Sequence, residues 1–273
     1  MQVTLVLSLS LVCCLMTLSC NGDQGGDSKG TVVFRNAEGR TLTMDELQGI
    51  TGAFRYEIVG EGNVPEQAHL LHQQARQAGQ RGDHKKAISL LEQASKAAPK
   101  WPYPVYDTAY EYLLMQDFEG ARMNYQKTLE LSPRGFFTAI TAVDTLTREE
   151  KGELPAGTYL AYLSLEWITD PFKKAEAVRR MIRQVPAFAP AWKELASLVE
   201  DETERLAIIE KGLAAHPDAE TKGILQINKA LVLNSKGDRD GAVRMLAELA
   251  LDPNSTLGIE HSAKAALALL LRK

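Results

Sequence analysis

Beyond residue 20 this chain has no cysteine. Its three cysteines are Cys13, Cys14 and Cys20, so no disulfide framework can hold Asn21 to Lys273 together. An excess of positive charge is missing as well. The 273 residues carry 31 Lys and Arg against 35 Asp and Glu, a net charge of −4, which leaves no electrostatic footprint for nucleic acid. Catalytic signatures are equally scarce: there is no His-Glu-x-x-His, no Gly-x-Ser-x-Gly and no glycine loop that could cradle a phosphate. These absences argue against an enzyme and imply no cofactor. After Leu18 no apolar run is long enough to span a bilayer. Aromatic residues make up only 7% of the chain, so the places where they gather are informative.

The amino terminus differs in kind from the rest. Val3 to Leu18 carries no charge, and a polar, glycine-rich run from Asn21 to Ser28 follows it. An apolar core with a small-residue exit reads as an export signal over residues 1–19, and 20–30 as a flexible tether. The segment Thr17-Leu18-Ser19-Cys20 resembles a bacterial lipobox. That resemblance implies lipidation of Cys20, and Asn21 after it implies outer-membrane sorting in the cell envelope. It departs from the pattern at Thr17, where leucine is usual, and in lacking Lys or Arg within Met1-Gln2. Ordinary signal cleavage, giving a periplasmic or secreted protein, is the alternative.

Residues 31–62 alternate like strands. Thr31 to Phe34, Thr41 to Thr43 and Phe54 to Val59 are β-type runs, with a turn at Asn36 to Gly39. Thr43 and Glu46 form a capping box for a short helix through Leu47. A piece this small is expected to pack on the first helical repeat. It contains neither His nor Cys, which weakens any reading of it as part of an active site.

From Pro65 the period becomes helical, and one pattern is written twice. Ala87 and Ala121, Leu91 and Tyr125, Ala94 and Thr128, and Pro99 and Pro133 are each 34 residues apart. That is the period of a two-helix unit that buries its apolar face only against neighbours. The chain resembles tetratricopeptide repeat (TPR) proteins over 65–271. The resemblance is specific in these two copies and in a last one, where Ala230 and Leu233 oppose Ala242, Leu246 and Leu249 across Lys236-Gly237-Asp238. The middle is degenerate. Phe136 to Glu150 is one helix without a clean partner, Tyr159 to Ile168 pairs with Phe172 to Val185, and Ala191 to Ala196 pairs with Glu204 to Ala214. Residues 256–271 form a helix covering the end of the stack. The expected fold is mainly α, a TPR-like α-solenoid of about twelve helices with a small β-rich amino-terminal segment.

In TPR proteins, positions 2, 5 and 9 of each first helix line the concave groove where partners bind. By that resemblance, His69, His72 and Arg76 occupy the groove in the first repeat, and Tyr103, Tyr106 and Tyr110 in the second. Three tyrosines at i, i+3 and i+7 form one helical stripe, with large contact area and polar tips suited to peptide recognition. The plain alternative is that the stripe packs against neighbouring structure. His69 and His72 could offer two imidazoles to a metal, but no third ligand is fixed, so no metal site is assigned. Asp238-Arg239-Asp240-Gly241 looks like a calcium loop yet serves better as the turn between repeat helices. The reading is a non-enzymatic adaptor in the bacterial envelope, with a protein or peptide partner, a lipid anchor in the membrane and no nucleic acid. Its rival is a passive spacer or complex subunit without a groove.

Overall fold

The computed structural model describes residues 31–36, 40–42, 54–59 and 64–271. The expected signal (1–19), the tether (20–30) with Cys20, and the capped turn of helix from Thr43 to Leu47 lie outside the described residues. Three strands, β1 (Thr31–Asn36), β2 (Thr41–Leu42) and β3 (Phe54–Val59), make an antiparallel sheet in the order β2-β1-β3. Thr31 pairs with Val59 and Asn36 with Phe54, while Phe34 pairs with Leu42. β1 runs beside the last helix of the chain.

Twelve α-helices follow among the described residues. The first hairpin joins α1 (Glu66–Gln80) to α2 (His84–Ala97), and the second joins α3 (Pro102–Leu114) to α4 (Phe118–Leu131). Then come α5 (Ala139–Glu150), α6 (Thr158–Ser164) with a 3-10 turn at Leu165–Trp167, and α7 (Pro171–Gln184). Two more hairpins, α8 (Ala189–Leu198) with α9 (Glu202–Ala214) and α10 (Ala219–Ser235) with α11 (Arg239–Leu251), lead to α12 (Leu257–Leu271).

Local chemistry sets the hairpin turns. Gly82, Gln116 and Gly237 take φ values of +80°, +60° and +93°, the left-handed step that reverses the chain. The next residue is each time an aspartate whose carboxylate accepts from an N–H of the following helix: Asp83 from Lys86, Asp117 from Gly120 and Asp238 from Gly241. Asp170, Asp201 and Asp218 cap α7, α9 and α10 in the same manner. Each such cap stabilises its helix by about 1 kcal/mol. The helices close on small residues. Ala87, Ala121 and Ala242 are fully buried at equivalent places, and Leu91, Tyr125 and Leu246 fill the space one turn later. This is a TPR-like α-solenoid.

α5 breaks the hairpin rhythm and redirects the stack. It packs on α4 and also meets the start of α10, where the Thr141 hydroxyl donates to Asp218 at 3.1 Å. The chain then returns to its own second repeat. The Leu257 N–H donates to the Arg134 carbonyl at 2.9 Å, the Arg134 guanidinium donates to the Ser255 carbonyl, and it also pairs with Glu260. Residues more than a hundred positions apart are thus joined. Gly135, at φ +98°, lies where an added Cβ would meet Thr256 at 3.3 Å, so this junction is a close approach of two segments.

Candidate interaction site on the first two hairpins

Every site residue taken from the TPR register lies on α1 or α3. Helix α1 carries His69, His72 and Arg76 on one face, and α3 carries Tyr103, Tyr106 and Tyr110. Pro102 and Pro104 start α3, with φ already set for a first turn and no N–H of their own to satisfy. Trp101 sits at the N-cap in extended conformation and is buried.

The six residues do not form one open surface. Tyr106 is 6% exposed, and its placement in the groove is corrected by that burial. Its ring meets Tyr125 at 5.4 Å and Phe136 at 5.5 Å, edge to face. Its hydroxyl lies 2.8 Å from Thr138 Oγ1, which also accepts from the Tyr159 hydroxyl at 3.0 Å. Burial pushes the Tyr106 phenol far above its ordinary range. This ring is core. His72 is also buried: its Nε2–H donates to Asp107 Oδ2 at 2.8 Å, and its ring lies 4.9 Å from Trp101.

The other four stand half-buried at the rim. The His69 ring lies 4.8 Å from Trp101, and burial together with the nearby His72 lowers its pKa. Tyr103 sits edge-on to Phe136 at 4.8 Å and to Phe137 at 5.5 Å. Arg76 and Tyr110 lie further along their helices. Sequence reasoning missed Trp101, Phe136 and Phe137, which tie the rim to the core. Phe137 adopts φ +46°, a left-handed conformation that is a clear outlier for a bulky side chain. The available signal was the pair Phe136-Phe137 directly after Pro133-Arg134-Gly135, where the register slips.

Beneath this rim, α3 receives one imidazole from each helix of the first hairpin. Asp107 takes His72 of α1; Glu111, one turn on, takes the His84 Nδ1–H of α2 at 2.6 Å. Glu111 is buried, and burial raises its pKa even against the His84 hydrogen bond. Room for the carboxylate comes from Gly79, where a Cβ would stand 2.1 Å from Glu111 Oε1. A second charged group, Lys193 of α8, is 9% exposed with Nζ 5.6 Å above the Tyr162 ring. Burial opposes its charge, but Tyr162, Glu194 and Asp218 outweigh that and hold the ammonium above its ordinary range. No group of three His, Cys, Asp or Glu side chains able to hold a metal occurs among the described residues. Chemically, the site offers aromatic area, an imidazole and a guanidinium.

No family model matches the chain, and no curated protein matches it. Solved structures do. MamA from Desulfovibrio magneticus RS-1 (residues 41 to the end) is 15% identical over 73% of this chain and 98% of its own, with a TM-score of 0.34. TTC0263, a thermophilic TPR protein of Thermus thermophilus, is 16% identical over 73% and 98%, with a TM-score of 0.32. The TPR2AB domain of yeast Sti1, in complex with pHSP90, is 18% identical over 74% and 86%, with a TM-score of 0.33. The architecture stands on the chain's own helix pairs, aspartate caps and buried alanines.

Proposed function

We propose that this chain is a non-enzymatic protein-interaction scaffold of the bacterial cell envelope, anchored by lipid on Cys20, that receives an extended peptide or a helix on its first two hairpins. The observation that carries the reading is the half-buried rim of His69, Arg76, Tyr103, Tyr110 and Phe137 above a fixed aromatic base. Rings held edge to face lose little entropy when a partner covers them, and Tyr and Arg dominate binding energy at such surfaces. The strained backbone at Phe137 supports the same view, because such conformations gather at functional sites.

The test is photo-crosslinking from position 103 in the native cell, followed by mass spectrometry. Replacing Tyr103 and Tyr110 with Ala lowers capture of the recovered partner at least ~10-fold with helicity intact. Unchanged capture refutes the docking surface. Labelled palmitate entering the protein in a Cys20-dependent way tests the anchor separately.

A second reading, a passive spacer without a groove, is favoured by the burial of Tyr106 and by the tie between Arg134 and Glu260. It predicts that the crosslinker recovers nothing but this chain.

A further inference from the structure

The largest exposed apolar side chains in the middle of the chain stand together in sequence. Trp167 is 78% exposed and Phe172 84% exposed, one closing the 3-10 turn and the other opening α7. Neither position is needed by the core, which α7 reaches through Val178 and Ile182. Asp170 fixes the start of the helix by accepting from the Phe172 and Lys173 amides, with Pro171 at the first helical position, so the Phe172 ring is held outward.

Behind these rings α7 is strongly basic. Pro171–Gln184 contains Lys173, Lys174, Arg179, Arg180 and Arg183 against the single carboxylate Glu176, in a chain whose net charge is −4. Lys174 is turned in to pair with Glu194, and Arg179 pairs with Glu204 across to α9. Lys173, Arg180 and Arg183 are exposed. At 3.6 residues per turn, Phe172, Lys173, Arg179, Arg180 and Arg183 fall within an arc of roughly 120°, with Glu176 as the one carboxylate among them. No helix among the described residues is long and apolar enough to cross a membrane.

We propose that this edge, Trp167 and Phe172 with the cations of α7, seats the protein on the surface of an anionic lipid bilayer. Two aromatic rings beside a basic helical face match the demands of a bilayer interface: the rings enter the headgroup layer and the cations meet anionic lipid. Single-stranded nucleic acid would also accept rings and cations, but the exposed cations Lys173, Arg180 and Arg183 are confined to one helix, too short a track to follow a strand's backbone. The contact is independent of any acyl chain on Cys20.

The full chain supplies its own probe. It has three tryptophans, of which Trp101 is buried and Trp192 is half-buried with its indole N–H donated to the Pro186 carbonyl. The experiment mixes the full chain with vesicles of phosphatidylcholine, alone or with phosphatidylglycerol, carrying brominated acyl chains. Vesicles with phosphatidylglycerol quench the emission, Trp167→Phe removes the quenching, and Lys173→Gln with Arg180→Gln and Arg183→Gln weakens partitioning at least ~10-fold. An amino-terminal leader or lipid can hold the chain to a vesicle but contributes no tryptophan, so it cannot produce Trp167-dependent quenching. Quenching that survives Trp167→Phe overturns the proposal, as does equal binding to pure phosphatidylcholine. Binding of single-stranded DNA or an acidic peptide with vesicles left unbound overturns it in favour of another polyanion.

Discussion

Two tyrosines in one cluster, substituted identically, should move stability in opposite directions. Tyr106 and Tyr125 are both buried, with ring centroids 5.4 Å apart, and their aromatic contacts survive replacement by phenylalanine. They differ at the hydroxyl. That of Tyr106 is bonded to Thr138, whereas that of Tyr125 is buried without a hydrogen-bond partner among the described residues. An unsatisfied buried polar group costs about 1–3 kcal/mol, and a satisfied one contributes about 0.5–1.5 kcal/mol. Tyr125→Phe therefore stabilises by about 1–3 kcal/mol, and Tyr106→Phe destabilises by about 1 kcal/mol, moderated because Thr138 keeps its bond from Tyr159. At about 2–4 °C per kcal/mol for a chain of this size, the two melting temperatures separate by roughly 10 °C. Circular dichroism during thermal and urea unfolding reads the difference. Loss of about 1 kcal/mol or more in Tyr125→Phe would refute the reasoning, because it means the hydroxyl is bonded after all.

Gly79→Ala should destabilise the first hairpin junction, although Ala favours a helix by about 1 kcal/mol, because its Cβ displaces the Glu111 carboxylate from His84. In a Glu111→Ala background the same change turns stabilising, and a double-mutant cycle by urea unfolding checks the sign. Glu260 is held down to about 2 from an ordinary 4.5, by hydrogen bonds from Lys264 first and then from Arg134, against some desolvation. A lowered folded-state pKa means that its stabilisation is complete above about 4.5 and lost as pH falls toward 2. Urea midpoints across that window should fall in the parent and flatten in Glu260→Gln; an unchanged acid limb counts against the tie between Arg134 and the last helix.

Hairpins were legible wherever one residue type could do only one job. A left-handed step followed by Asp marks the turn at Gly82-Asp83 and Gly237-Asp238, and a buried alanine marks each close helix contact at positions 87, 121 and 242. The register also found the faces of α1 and α3, since spacing of i, i+3 and i+7 is geometric. It could not rank residues within a face. Tyr106 and Tyr103 lie one turn apart with the same side chain and both meet Phe136, yet Tyr125 and Thr138 enclose Tyr106 while Tyr103 stays half-buried. Nothing local to α3 encodes that cover. The pairing of Arg134 with Glu260 is illegible for the same reason: both look like ordinary surface charges until the stack turns back on itself.

That return constrains where a partner can sit. A solenoid offers a groove only while its first helices stay uncovered by the chain itself. Here α5 takes the start of α10 through Thr141 and Asp218, and the segment after α4 takes the start of α12 through Arg134, Leu257 and Glu260. Lys193, at a first-helix position in α8, is 9% exposed over Tyr162. Helices from α5 onward therefore spend polar side chains on contacts within the chain. The first two hairpins differ, since His69, Arg76, Tyr103 and Tyr110 keep part of their surface while His72, Tyr106 and Trp101 fix them from below. Under the proposed function a protein partner docks on α1 and α3, and substitutions at equivalent positions in α5, α8 and α10 should change stability before they change its binding.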